Sequence, residues 1–240
     1  MCAILTWAGK PTAQILRDMY RNAAQWGPHS VGLSYYAGNH LKVFKRAITP
    51  EVFLHNCYRR LDTAAESQLG MGHVRWATHG HVVDRNAHPF FHDGIVFVHN
   101  GVIGNYHEFG NYEVDSQCLG PMIRKQDTSP AFGSVGLAWF DMNDKQLYVY
   151  RRGQSLRAFT FTTLNGPLTL VVSRGGVVNS NGLRLPVRET TLEEGTAYRV
   201  DPEGLTQVWS DRKPTVWGDR GDRLYRRLMD EDADTEYKGG

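Results

Sequence analysis

Four times along this chain, two short alternating segments rich in Val, Ile, Leu and aromatics are separated by only a few turn-forming residues, and this repetition restricts the fold more than any other feature. Val31 to Tyr36 meets Leu41 to Arg46 across Ala37-Gly38-Asn39, and Val135 to Asp141 meets Gln146 to Arg151 across Met142-Asn143-Asp144-Lys145. Arg157 to Thr162 meets Leu168 to Ser173 across Leu164-Asn165-Gly166, and Ala197 to Val200 meets Thr206 to Trp209 across Asp201-Pro202-Glu203-Gly204. Strands joined this tightly pair antiparallel, because a parallel partner needs a long crossover. Ala3 to Trp7, Met71 to Ala77 and Ile95 to His99 read as further strands. Two helical patterns lie between them. One has Pro11 in its first turn and carries Ile15, Leu16, Met19, Tyr20 and Ala23; the other opens at Thr49-Pro50-Glu51 and carries Phe53, Leu54, Cys57, Tyr58 and Leu61, which makes Cys57 a core residue. A shorter helix is predicted from Ser116 to about Lys125, capped by Asp115 or Ser116. Hairpins with few helices predict an α+β fold in which helices cover stacked sheets.

The 240 residues are 41% hydrophobic and 22% charged, enough for one sizeable core. No linker interrupts the pattern before about Asp211, whereas the remainder carries charged clusters such as Asp230-Glu231-Asp232-Ala233-Asp234. We therefore expect one domain over 2–210 and a charged extension over 211–240, a peripheral helix or loose tail in which Tyr225, Leu228 and Tyr237 pack on the protein itself, the alternative being that they dock the tail on a partner. A net charge of +2 from 27 basic and 25 acidic side chains argues against nucleic acid or an anionic membrane as partner. The first residues lack a signal-peptide pattern and no apolar run approaches the ~20 residues of a membrane span, so a cytoplasmic protein is expected. Cys2, Cys57 and Cys118 are odd in number and scattered, which fits neither a disulfide framework nor a cysteine zinc site.

Cys2 stands beside the initiator methionine, and a side chain this small lets Met1 be trimmed. The freed α-amine, with an ordinary pKa of ~8, can then act as general base for its own thiol. Such a thiolate attacks an amide carbonyl, the ammonium protonates the departing amine, and water hydrolyses the thioester. A cysteine at position two also occurs by chance, so the reading needs corroboration. Gly72-His73-Val74-Arg75-Trp76-Ala77-Thr78-His79-Gly80 begins as a strand and ends in polar residues, where Arg75 can grip a carboxylate through its planar fork or simply lie on an edge. The run Ile95-Val96-Phe97-Val98 ends in His99-Asn100-Gly101, where the Asn100 amide and the Gly101 N–H offer the two donors of an oxyanion hole, or a common strand-ending turn. Asp115 can bind an ammonium and cap a helix at once.

His73-Val74-Arg75-Trp76-Ala77-Thr78-His79-Gly80, then Asn86-Ala87-His88-Pro89, then Val98-His99-Asn100-Gly101-Val102-Ile103, together resemble the class II glutamine amidotransferases, most of all the glutaminase domain of glucosamine-6-phosphate synthase. With weaker similarity the resemblance covers residues 2 to 200. It implies a four-layer αββα Ntn-hydrolase sandwich of two mostly antiparallel sheets flanked by helices. It further implies Cys2 as nucleophile, Asn100 and Gly101 as oxyanion hole, Arg75 on the glutamine α-carboxylate with Thr78 and His79 alongside, Asp115 on the α-amine, Trp76 at the glutamine site, and a lid from about Thr78 to His92. Neither cofactor nor metal is implied, although His79, His81, His88, His92 and His99 cluster with Asp84 and Asp93. This chain departs from the pattern with Ala3 after the cysteine, and within Gln25-Trp26-Gly27-Pro28-His29-Ser30-Val31-Gly32, where Trp26 replaces the family's arginine and His29 its aspartate. The expected function is release of ammonia from glutamine for a synthase on another chain. Hydrolysis of another γ-glutamyl amide, and a catalytically silent interaction module of the same fold, are the alternatives.

Overall fold

The computed structural model of the protein describes residues 2–174 and 187–211. Met1 and the expected extension beyond Asp211 lie outside the described residues. In chain order the elements are β1 (Ala3–Gly9), α1 (Ala13–Ala23), β2 (Ser30–Ala37), β3 (His40–Arg46), α2 (Pro50–Asn56), α3 (Tyr58–Ala65), β4 (Leu69–Arg75), β5 (Phe90–His92), β6 (Ile95–Ile103), α4 (Leu119–Lys125), β7 (Gly133–Asp141), β8 (Gln146–Arg152), β9 (Arg157–Thr163), β10 (Gly166–Val172), β11 (Arg188–Thr191), β12 (Thr196–Asp201) and β13 (Gly204–Ser210). They form a seven-stranded sheet, β11-β9-β10-β1-β4-β2-β3, and a six-stranded sheet, β13-β12-β8-β7-β6-β5. All four hairpins read from the sequence pair as expected, antiparallel.

Alternation along the strands sorts the side chains into layers. On β1, Ala3, Leu5 and Trp7 join a cluster with Leu16, Met19 and Tyr20 of α1 and Leu61 of α3. Ile4 and Ala8 face the other way, into a cluster with Val96 and Val98 of β6 and Ala138 and Phe140 of β7. The outer face of the second sheet, Phe97, Leu137 and Trp139, packs on Leu119, Met122 and Ile123 of α4. The order is therefore helices, sheet, sheet, helix, the αββα arrangement. Because β1 is covered on both faces, all seven of its residues are buried. Two glycines of β4 make room for the first helix layer: a Cβ at Gly70 would stand 1.9 Å from the Trp7 ring, and one at Gly72 would stand 2.2 Å from the Tyr20 hydroxyl, which donates to the Gly32 carbonyl.

Local boundaries differ from the sequence reading where a cap or a bend decides. The first helix starts at Ala13 with Thr12 as its cap, Oγ1 accepting the Ile15 N–H at 3.2 Å, so Pro11 precedes the helix. Thr49 caps the second pattern as read, but Cys57, at φ −122° and ψ 15°, breaks it into α2 and α3 and is half-buried at the bend. Residues Asp115–Cys118 form a 3-10 turn, and only Leu119–Lys125 is α-helical. β4 ends at Arg75, two residues early, while β6 runs on through Asn100 and Gly101 to Ile103. Among the described residues no helix is long and apolar enough to cross a membrane.

Candidate active site

Strand register assembles the site. Ala3 pairs with Val74 and Arg75 with Ser30, so the head of β1, the tail of β4 and the head of β2 meet at one end of the first sheet. Cys2 precedes β1 and Trp76 follows β4, and the two touch: the Trp76 N–H lies 3.3 Å from Cys2 Sγ, and Sγ lies 3.5 Å from the Trp76 carbonyl. The thiol is buried and unbonded to other cysteines. Burial pushes its pKa up, against the opposing pull of the Trp76 backbone and the Arg75 charge, while the Asp115 charge pushes it further up.

Arg75 is only 2% exposed. Its guanidinium donates to the His79 carbonyl and, at 3.5 Å, to the His81 carbonyl, so the chain after β4 folds back over it. Burial pulls its pKa down, and the Cys2, Asp115 and Glu113 groups oppose that. Trp76 is 44% exposed on this turn, and Thr78 is exposed as well. His79 Nδ1 stands 3.9 Å from Asp115 Oδ1, with the Tyr106 ring edge-on at 5.2 Å. Asp115 is buried, and its carboxylate accepts the Ile103 N–H at 2.9 Å and the Ser116 N–H at 2.8 Å.

The second sheet brings Asn100. It alternates with Val96 and Val98 on the face of β6 turned to the first sheet, is 2% exposed, and its Nδ2 has no hydrogen-bond partner among the described residues. His99, facing outward, is locked: its Nε2–H donates to the Ser134 carbonyl at 3.2 Å, so the neutral ring accepts the Ser116 hydroxyl at Nδ1, 2.8 Å away. Burial pulls its pKa down. His73 Nε2–H then ties the sheets together by donating to the His99 carbonyl at 2.9 Å, one residue from Asn100. Gly101 sits at φ +146°, and a Cβ there would stand 1.9 Å from the Ser134 carbonyl oxygen, so only glycine fits.

The structure thus joins Cys2 to Arg75 and Trp76, and His79 to Asp115; it places Asn100 and Gly101 on β6 beyond the His73 bridge, and Thr78 on the exposed turn. The expected lid is only half loop: Asn86 to Phe90 are buried and β5 belongs to the second sheet. Its open part is pinned to Glu113, which accepts Arg85 Nε and Nη2 at 3.0 and 3.2 Å and Asn86 Nδ2 at 2.7 Å. These bonds, Asn86 first, hold Glu113 down at a pKa of about 2. Its stabilising contribution is complete above the ordinary 4.5 and is lost as pH falls towards about 2. At neutral pH, Glu113→Ala is expected to speed tryptic cleavage after Arg85 severalfold; equal rates in both proteins would show that this pin does not hold the loop.

Sequence reasoning missed Tyr106, Glu113 and the work of His29 and Ser116, because each acts through a partner remote in sequence. Among the described residues no group of three His, Cys, Asp or Glu side chains is placed to hold a metal ion.

Residues 10–120 match the family described as glutamine amidotransferases class-II. Over 192 residues the chain is 31% identical to the glutamine–fructose-6-phosphate aminotransferase (isomerizing) of Mycobacterium bovis, a match covering 72% of this chain and 29% of that protein. The chain therefore spans less than a third of the curated relatives first matched. Among solved structures, the glutamine phosphoribosylpyrophosphate amidotransferase from B. subtilis superposes with a TM-score of 0.68 at 16% identity, over 89% of this chain and 50% of that one. A glutamine aminotransferase class-II domain protein from Silicibacter pomeroyi gives 0.52 at 17% identity, over 88% of this chain and 100% of that one. At such identities these likenesses speak for the fold.

Proposed function

The chain carries a domain of the class II glutamine amidotransferase family, and from that premise we propose that it hydrolyses the side-chain amide of glutamine through Cys2, yielding glutamate and ammonia. One observation carries the reading: among the described residues, the buried Asn100 amide donor is unpaired, on the face of β6 turned towards the sheet that Cys2 heads. Leaving such a donor unmade costs on the order of 1–3 kcal/mol, a cost tolerated where a reacting group will use it.

With Met1 removed, the Cys2 α-amine takes the thiol proton and Sγ attacks the amide carbon. The carbonyl electrons move onto oxygen, where Asn100 Nδ2 and the Gly101 N–H stabilise them. Collapse of this intermediate breaks the C–N bond as the α-ammonium gives its proton to the leaving nitrogen, producing ammonia and a thioester. Water, losing its proton to the same amine, then releases glutamate. Arg75 retains guanidinium donors beyond the two given to the loop and binds the substrate α-carboxylate; Asp115 takes the α-ammonium, with His79 and Tyr106 walling that end. Trp76 and Thr78, on the exposed turn, cover the bound amino acid. We place use of the ammonia on a partner synthase.

The test is glutamate release from glutamine by Met1-trimmed protein, with a glutamine analogue carrying a diazoketone in place of the amide as a second probe. We expect turnover and stoichiometric labelling of Cys2. A protein that labels and cleaves only larger γ-glutamyl amides would replace this substrate, and one that does neither would be a silent module of the same fold.

A further inference from the structure

His29 brackets the peptide that holds the nucleophile. Its backbone N–H donates to the Arg75 carbonyl at 3.0 Å, and its ring Nδ1 accepts the Ala77 N–H at 2.8 Å. Between those two anchor points lies Trp76, whose N–H and carbonyl both contact Cys2 Sγ and whose ring packs on the His29 imidazole at 5.6 Å. The ring nitrogen accepts this bond only while it is unprotonated. A protonated ring would turn an N–H towards the Ala77 N–H, leaving two donors face to face.

We infer that His29 is a positioning residue of the glutaminase reaction, whose neutral imidazole fixes the Trp76-Ala77 peptide against the Cys2 sulfur and releases it on protonation. The inference rests on the glutamine reading above. Of the groups around the ring, β4 contributes the Arg75 guanidinium, the head of β1 contributes the Cys2 thiol and, after trimming, its α-amine, and the Trp76 face is neutral. Burial first, then the Arg75 charge, pulls the His29 pKa below its ordinary value, so the ring is neutral at physiological pH.

The α-amine alone gives an acid limb in which log kcat/KM falls by about 1 per pH unit. With His29 in the same protein, the limb steepens to about 2 per unit below the histidine's pKa. His29→Asn replaces Nδ1 by an amide oxygen that accepts without titrating, whereas His29→Phe keeps the ring and loses the acceptor. At pH 8, His29→Phe is expected to lose about tenfold or more in kcat/KM, and His29→Asn to restore it to within about threefold while abolishing the steep limb. In protein labelled with 15N-alanine, the Ala77 amide signal should titrate in the wild type and stay fixed in His29→Asn. Full activity of His29→Phe, or an Ala77 signal indifferent to pH in the wild type, would overturn the inference. If the wild type turns over no glutamine at all, the substrate reading fails, and the Ala77 titration alone still decides whether His29 holds this peptide.

Discussion

Cys2→Ala is expected to abolish glutamate release, lowering kcat by more than about a thousandfold, because no other thiol can substitute. Cys118 is buried in the turn that leads into α4, where burial pushes its pKa up to about 12, and Cys57 sits at the bend between α2 and α3, in the helix layer on the other face of the first sheet. Removing the Cys2 sulfur deletes its two weak hydrogen bonds with the Trp76 backbone and one buried atom, so stability should change by about 1–2 kcal/mol. That separation of activity from folding gives the experiment its force. A protein that retains Met1 should be equally inactive with its thiol in place, since the amide nitrogen of an acylated Cys2 cannot take a proton. If such a protein hydrolysed glutamine at the trimmed rate, the base would have to be found elsewhere, and the terminal-nucleophile mechanism would fall.

What could be read in the sequence was what short range controls. Each hairpin has its turn residues between its strands, so pairing followed from neighbours. The order of the strands within each sheet did not, because β1 lies between β10 and β4 through contacts more than sixty residues away. Cys2, Arg75 and Asp115 could be named from chemistry and resemblance, yet their meeting depends on the register that sets Ala3 against Val74, which no local pattern encodes. The Thr49 pattern looked like one helix because its apolar spacing continues across Cys57; the break lies in a backbone angle that spacing does not report. The lid was overextended for a related reason. His88 and Phe90 follow a polar, turn-forming stretch from Asp84 to Asn86, but burial against β2 and β6 makes them framework, with the His88 carbonyl where a Cβ on Gly32 would fall. Glu113 was invisible as a latch because its partners, Arg85 and Asn86, lie on the far side of β5 and β6 in sequence.

Asn100→Ala should lower kcat about 10²–10³-fold, the loss of one oxyanion donor or ~2.7–4 kcal/mol of transition-state stabilisation, with KM nearly unchanged. The ground-state amide of glutamine gains little from that donor, whereas the tetrahedral oxyanion gains most of it. Stability sharpens the test. Because Nδ2 is buried without a partner among the described residues, truncating Asn100 removes a desolvation cost while opening a small cavity, and the two effects offset to within about 1 kcal/mol. A neighbouring change behaves oppositely: Gly101→Ala drives a Cβ into the Ser134 carbonyl at a positive φ, so it should cost folding before it costs chemistry. A purely structural role for Asn100 predicts the reverse pattern, a destabilised protein that keeps its turnover. Thermal unfolding and steady-state kinetics on the same preparations therefore separate the two roles, and an Asn100→Ala protein that is less stable yet fully active would remove Asn100 from the reaction.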